Sequence, residues 1–176
     1  MKKKLTGLVL SGLLAMTTLV GCGGSTAPAE QPAQEANGDG LKIAIVTSIT
    51  GVDDGNFNEN NYNGILKFIE NNPDATVKAV QEPSGDTTAA VQAVSDIVAD
   101  YDVIVTPGFQ FAGVSEVASE NPDKKFILVD SEPAAIGDQT EFDNVYSMLF
   151  AEQEGGFFAG VAAALETKTN KVAVVN

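Results

Sequence analysis

The stretch best equipped for chemistry is Ser48–Asn58 (SITGVDDGNFN), which directly follows a buried apolar run. It carries adjacent carboxylates at Asp53 and Asp54, a ring at Phe57 and amides at positions 56 and 58. An aromatic ring beside hydrogen-bonding side chains suits a flat heterocyclic ligand, because the ring stacks while the polar groups orient it. A purely structural role would use the same residues, with Asp53 or Asp54 capping the next helix and Phe57 packing against it. The residues alone leave both interpretations open.

Three other kinds of site fit this loop poorly. A calcium loop beginning at Asp54 would need glycine where Glu59 stands and glutamate where Ile65 stands. Neither glycine pattern of a phosphate-binding loop is present. Adjacent carboxylates in a turn usually point apart, so acid–base catalysis by Asp53 and Asp54 is not expected. If the chain were an enzyme, changing Asp53 or Asp130 would be expected to abolish its turnover.

The composition narrows the chemistry further. The chain has no histidine, only one cysteine, and lysine at all ten basic positions. It therefore lacks histidine, the commonest general base and metal ligand, and it also lacks arginine, whose guanidinium group binds phosphates through paired hydrogen bonds. We expect no enzyme activity, no metal and no cofactor. The formal charge of −14 disfavours nucleic acid as a partner, because both surfaces would be anionic.

The N-terminus has the layout of an export signal. Lys2, Lys3 and Lys4 precede an apolar run that is too short and too interrupted to span a membrane, and Gly21-Cys22 follows. Leu19-Val20-Gly21-Cys22 resembles the bacterial lipobox, whose cysteine is acylated. We therefore predict a signal peptide at 1–21 and acylation of Cys22, which would make the chain a lipoprotein of the cell membrane, on its extracytoplasmic face. The alternative is an ordinary cleaved signal followed by a free cysteine. Residues 22–40 are rich in small and polar types, and this composition predicts a flexible linker.

From Leu41 onward, apolar strands alternate with amphipathic helices, which is typical of right-handed βαβ units and a parallel sheet. The expected class is α/β with a Rossmann-like or flavodoxin-like sheet. Strands are predicted at Leu41–Thr47, Thr76–Val80, Val103–Thr106, Phe126–Val129, Val145–Phe150 and Lys171–Val175. Helices are predicted at Asn58–Asn72, from a cap at Asp86 to about Ala99, at Phe111–Glu120, and through Phe157 to Leu165.

Ligands of open α/β sheets bind beyond the carboxyl ends of the strands. Four predicted loops meet that condition, namely Ser48–Asn58, Gln81–Gly85, Pro107–Gln110 and Asp130–Pro133.

These loops resemble the basic membrane protein (BMP) family of substrate-binding lipoproteins. The most specific stretch is Gly51-Val52-Asp53-Asp54-Gly55-Asn56-Phe57-Asn58, which is similar to the family pattern G-x-D-D-x-S-F-N. Three further matches follow in the same order and spacing, at Gly108-Phe109, from Asn121 to Asp130-Ser131, and from Glu152 to Leu165 with Lys168-Thr169.

The resemblance implies a purine nucleoside ligand that is delivered to an ABC permease and its ATPase by a monomeric receptor. It implies that Phe57 stacks on the purine and that Asp130 hydrogen-bonds it. Two positions depart from the family, because Ser48 stands where the family has aspartate and Asn56 where it has serine. The expected ligand-binding residues are Ser48, Asp53, Asp54, Phe57, Asn58, Gly108, Phe109, Asp130 and Ser131.

The resemblance also implies a type I periplasmic-binding-protein clamshell of two α/β lobes. Residues 41–147 would form the N-terminal lobe, and residues 148–176 the crossover and the truncated beginning of the second. The competing interpretation is a small single domain, in which Lys171–Val175 joins the first sheet. A surface sensory or adhesive lipoprotein that reuses the fold is the alternative function.

Overall fold

The computed structural model describes residues 29–30 and 40–175. The predicted signal peptide, Cys22 and most of the predicted linker lie outside these residues. The strands are β1 Ala29–Glu30, β2 Lys42–Thr47, β3 Thr76–Gln81, β4 Val103–Pro107, β5 Lys125–Val129 and β6 Val145–Met148. The helices are α1 Phe57–Asn71, α2 Thr87–Ile97, α3 Val114–Glu120 and α4 Glu152–Glu166, with short 3₁₀ turns at Val98–Asp100 and Phe109–Phe111.

The sheet has the order β1-β3-β2-β4-β5-β6. Strands β2 to β6 are parallel to one another, and their order is the flavodoxin-like one, so the predicted α/β class is confirmed. Strand β1, which falls within the predicted linker, pairs antiparallel with β3 at the edge of the sheet. Strands β2 and β4 are almost wholly buried, as expected of apolar runs in a sheet whose faces are covered by helices.

Two apolar layers hold the helices on the sheet. On one face, α2 and α3 pack over Val46, Ile104 and Phe126. On the other face, α1 packs over Ile45 and Val77 through its own apolar residues. Asp86 begins α2 as predicted, because its carboxylate accepts a hydrogen bond of 2.9 Å from the Ala89 N–H.

The topology places the switch point of the sheet at its carboxyl edge, where open α/β sheets have a crevice between diverging loops. Strands β2 and β4 are neighbours, yet the loop after β2 leads to α1 on one face and the loop after β4 leads to α3 on the other. The loops therefore diverge above the two strands, and this is the point at which open α/β sheets bind their ligands.

Three predicted elements differ from the structure. The helix predicted from Phe111 is divided, because a 3₁₀ turn ends at Phe111 and α3 begins only at Val114. The strand predicted to reach Phe150 ends at Met148, the last residue that pairs with β5. Lys171–Val175 is not a strand, since it has no partner in the sheet, and a β-branched run without backbone partners cannot form one.

Helix α4 has the predicted position, but none of its residues is buried. Its phenylalanines, Phe157 and Phe158, form an edge-to-face pair with ring centroids 5.7 Å apart. Within the part of the chain that the structure describes, no helix has the length and apolarity needed to cross a bilayer.

Candidate functional site

The loop after β2 is organised around the carboxylate of Asp54. One of its oxygens accepts hydrogen bonds from the N–H groups of Asn56 at 2.9 Å and Glu59 at 3.1 Å. The other accepts from the Asn58 N–H at 3.2 Å and the Thr50 hydroxyl at 3.4 Å. Asp54 thus supplies acceptors to the free N–H groups at the start of α1, which is the capping role that its position allowed.

These hydrogen bonds also set the charge state of Asp54. Partial burial by itself would raise the pKa of this carboxyl. The bonds from the backbone of Glu59, Asn56 and Asn58 and from the Thr50 hydroxyl outweigh burial, so the pKa lies below its ordinary value. The group is therefore held ionised at the positive end of the α1 dipole.

A second set of contacts closes the same loop. The buried Asn58 amide donates to the Thr50 carbonyl at 3.1 Å and to the Thr50 hydroxyl at 2.9 Å. The Glu59 carboxylate accepts from the Gly55 N–H at 2.8 Å. Gly55 has a positive φ of 67°, a conformation that glycine adopts without strain. The loop is thus preorganised before any ligand arrives, and Asn58 contributes to its shape.

Phe57, the first residue of α1, is packed against the core on one side and exposed on the other. Its ring is half-buried and packs against the apolar layer beneath α1, so part of its role is structural. The remaining surface of the ring is open to solvent. Ser48 is buried at the end of β2, where the preceding Thr47 hydroxyl has no hydrogen-bond partner among the described residues. Stacking by Phe57 stays a prediction.

The loop after β3 supports the first loop from the side. The Gln81 amide donates to the Ile49 carbonyl at 2.7 Å, which joins the two loops. Glu82 is buried, and its carboxylate accepts from the N–H groups of Ser84 at 2.9 Å and Gly85 at 3.2 Å. These contacts engage the side chains of Gln81 and Glu82 within the protein, so the loop after β3 holds the loop after β2 in position.

The loop after β4 begins with a conformation that requires glycine. Gly108 has φ 105° and ψ 160°, and a Cβ there would lie 2.6 Å from the Gln110 side chain. Its N–H donates to the Val129 carbonyl at 2.8 Å, which fixes the turn against β5. Phe109 follows and is 76% exposed. Its ring lines a cavity of about 550 Å³ between α2 and α3, together with Val91 and Glu116, and its contact with a ligand stays a prediction.

The loop after β5 begins at Asp130, which has a positive φ of 61° and donates its N–H to the Met148 carbonyl at 2.7 Å. Desolvation raises the pKa of this carboxyl, and a hydrogen bond and charge repulsion from Glu152 raise it further. The Ser131 hydroxyl donates to the Glu132 carbonyl at 3.2 Å. Because Glu152 is the first residue of α4, the first turn of α4 lies beside Asp130.

Seven of the nine predicted site residues lie in the segments that directly follow β2, β4 and β5, and the other two, Phe57 and Asn58, begin α1. Asp54, Asn58 and Gly108 have contacts that fix the loops, and their part in ligand binding stays a prediction. Sequence reasoning missed the supporting residues Thr50, Gln81, Glu82 and Glu152, because their partners are set by tertiary contacts.

The polar side chains of this edge are carboxylates, amides and hydroxyls. Within residues 29–30 and 40–175, no group of three or more histidine, cysteine, aspartate or glutamate residues could hold a metal ion. The four loops contain no lysine, so no cation faces the carboxylates of this edge from within them. Stacking and hydrogen bonding are what these side chains can supply to a small molecule.

Comparison with known proteins gives a consistent result. A family model described as an ABC transporter substrate-binding protein, PnrA-like, matches residues 42–176. A CD4+ T-cell-stimulating antigen of Listeria innocua is 31% identical over 99% of this chain and 48% of its own length. An ABC transporter nucleoside-binding protein, BmpA, of Lactococcus lactis is 30% identical over the same shares. The chain spans about half the length of these curated relatives.

The fold has a counterpart among solved structures. The crystal structure of an ABC transporter solute-binding protein from Aeropyrum pernix is 26% identical, with a TM-score of 0.60. The match covers 70% of this chain and 32% of that one. The similarity therefore extends over most of the present chain but only a third of the larger protein.

Proposed function

The chain belongs to the family of PnrA-like ABC transporter substrate-binding proteins, and we propose on that basis that it captures a purine nucleoside for an ABC importer. The predicted resemblance to the BMP family is thereby confirmed, whereas the ligand is proposed. The observation that carries the ligand is the 30% identity, over 99% of this chain, to a relative named as nucleoside-binding. Because the chain spans about half of that relative, transport by the whole protein is part of the proposal.

The charges of the site favour a nucleoside over a nucleotide. Asp53, Asp54, Asp130 and Glu152 bring carboxylates to this edge, and its four loops have no lysine. A phosphate group there would meet like charges without the cation or glycine-rich loop that normally binds it. An uncharged nucleoside would avoid this repulsion while still offering a ring to stack and polar groups to orient.

The proposed contacts divide between rings and polar groups. Phe57 begins α1 and Phe109 lies in the 3₁₀ turn after β4, and both rings are partly or largely exposed, so we propose that they contact the purine ring. Asp130 is exposed at the end of β5 and would accept hydrogen bonds from ligand N–H or hydroxyl groups. Ser48 would contribute a hydroxyl where the family has a carboxylate, so we expect base preference to differ from that of other members.

The same proposal includes the location. Acylation of Cys22 would hold the chain at the outer face of the cell membrane, near an ABC permease and its ATPase. The family consists of binding proteins, and we propose that the chain has no catalytic activity.

Saturation-transfer NMR on the soluble chain from residue 23 tests the ligand, because this method detects weak binding. We expect signal from adenosine, guanosine or inosine, and much less from uridine or adenosine monophosphate. Phe57→Leu should weaken binding about fivefold to tenfold, because an aromatic contact is worth about 1 kcal/mol. Phe68→Leu is the matched control, since Phe68 is an exposed ring of the same helix far from the edge. Equal signals from purine and pyrimidine nucleosides would overturn the proposed ligand class.

A further inference from the structure

The start of the loop after β2 is held from two directions. From β3, the Gln81 amide donates to the Ile49 carbonyl at 2.7 Å. From α1, the Asn58 amide donates to the carbonyl and the hydroxyl of Thr50 at 3.1 and 2.9 Å. The two residues that follow Ser48 are therefore fixed by side chains of different elements. Ser48 lies between these bonds and the buried end of β2, so its backbone has little freedom to move.

The backbone of β3 makes a further connection to the same segment. Thr47, the last residue of β2, lies in register with Gln81. The Thr47 carbonyl accepts a hydrogen bond of 2.8 Å from the Glu82 N–H, one residue beyond the paired strands. The two strands are thus joined up to the point at which their loops begin. The Gln81 side chain extends this connection by two residues, from Thr47 to Ile49.

The side chain of Ile49 is held as well. A Cβ on Gly85 would lie 2.8 Å from Cδ1 and Cγ1 of Ile49, so the Ile49 side chain lies directly against Gly85. Gly85 has a positive φ of 75°, and the buried Glu82 fixes this turn by accepting its N–H at 3.2 Å. The loop after β3 therefore holds Ile49 at both its carbonyl and its side chain.

These contacts bear on the proposed ligand through Ser48. This residue stands where the family has aspartate, and a hydroxyl can either donate or accept a hydrogen bond. The hydroxyl therefore does not select one purine edge by its chemistry alone. Because a hydrogen bond weakens steeply with poor distance or angle, the position of the backbone decides which edge the hydroxyl can serve. In this chain, that position depends on the bond between Gln81 and the neighbouring Ile49.

We propose that Gln81 is a positioning residue for Ser48, and that it contributes in this way to the choice between purine bases without touching the ligand. The proposal rests on the proposed nucleoside binding and names a residue that governs its specificity. Gln81 belongs to none of the motifs that predicted the site, because its bond to Ile49 joins residues 32 positions apart in the sequence.

A double-mutant cycle separates positioning from a purely structural role. Gln81→Met removes the donor but keeps the length of the side chain, and Ser48→Ala removes the hydroxyl. Dissociation constants for adenosine and inosine are measured by NMR titration of the chain from residue 23, which keeps every residue that the structure describes. The midpoint of urea denaturation establishes that each variant is folded under the conditions of the titration.

Gln81→Met should weaken binding of the preferred nucleoside by about threefold to tenfold, the factor that one neutral hydrogen bond typically supplies. The ratio of the two dissociation constants should also move toward one, because the hydroxyl is no longer held against a single edge. In the Ser48→Ala chain, Gln81→Met should change either constant by less than about twofold, since the group that it positions is gone.

Two further variants test the same role. Gly85→Ala displaces Ile49 from the side of its side chain, so it should reproduce the shift in the ratio without any change to the Gln81 amide. Gln139→Met is the matched control, because it removes an amide that donates to the Glu141 carbonyl at 3.1 Å in the loop after β5. It should change neither constant by more than about twofold.

Three results would overturn the positioning role. These are equal losses for adenosine and inosine in Gln81→Met, losses that multiply when Gln81→Met and Ser48→Ala are combined, and an unchanged ratio in Gly85→Ala. An original chain that binds neither nucleoside would contradict the proposed function itself, and the positioning role would fall with it. The original chain therefore distinguishes failure of the proposed function from failure of the role of Gln81.

Discussion

Replacing Asp54 with alanine should lower the free energy of unfolding by about 1–2 kcal/mol, because one carboxylate serves three N–H groups at the start of α1. Loss of a capping side chain typically costs about 0.5–2 kcal/mol. Loss of the negative charge at the positive end of the helix adds about 0.3–1 kcal/mol. Water can reach this half-buried loop and replace part of the lost bonding, which keeps the expected total near the lower end of the sum.

The effect of Asp54 should depend on pH with a definite sign. The pKa of the Asp54 carboxyl in the folded chain lies below the ordinary value for aspartate, so the folded chain keeps it ionised at lower pH than the unfolded chain does. Its contribution to stability is therefore complete above the unfolded pKa and is lost as the pH falls through the folded pKa. The difference between the original chain and Asp54→Ala should be constant from about pH 5 to 8 and should shrink below about pH 4.

Urea denaturation followed by circular dichroism at several pH values measures this difference on the chain from residue 23. Asp53→Ala is the matched control, since the neighbouring carboxylate is exposed and should change stability by less than about 0.5 kcal/mol. Equal losses for Asp53→Ala and Asp54→Ala, or a difference that does not shrink at all as the pH falls from about 5 to about 2, would refute the capping role and its charge dependence.

Four further changes have definite expected outcomes. Asn58→Ala should cost about 1–2 kcal/mol of unfolding free energy in urea titrations, since it removes two hydrogen bonds from a buried amide. Gly108→Ala should cost about 1–3 kcal/mol by the same measurement, because its φ of 105° is open only to glycine, and an unchanged midpoint would contradict that conformation. Glu152→Gln should lower the pKa of Asp130 in a ¹³C NMR titration of the carboxyl, since it removes the neighbouring charge, whereas an unmoved pKa would leave desolvation as the whole cause. Cys22→Ser should abolish incorporation of labelled palmitate and shift the chain out of the membrane fraction, and continued labelling would place the acyl chains elsewhere.

Local patterns were sufficient to predict most of the fold. The β-branched run before Ser48 and the helical spacing after it predicted β2 and α1 to within a residue or two. Asp86 was recognisable as the cap of α2 because capping depends on residues three positions apart. These elements depend on residues that are close together in the sequence, and their periodicity can be read directly from the sequence.

Features that depend on distant partners were predicted less well. Lys171–Val175 has the composition of a strand, but a strand also needs a partner, and composition does not supply one. The choice between Asp53 and Asp54 as the cap could not be made either, because both precede α1 at capping distance and only the turn at Gly55 decides which reaches it. Periodicity could not predict the exposure of α4 either, because an apolar run predicts burial but does not identify the element that covers it.

The proposed binding site for a purine nucleoside is the crevice where the loops after β2 and β4 diverge. Mapping amide chemical shifts of the ¹⁵N-labelled chain during an adenosine titration tests it most directly. We expect shifts concentrated in Ser48–Asn58, Pro107–Gln110 and Asp130–Ser131, with few in α2 or in the C-terminal half of α1, and little response to uridine. Shifts that concentrate between α2 and α3, or a response that is the same for both nucleosides, would contradict it.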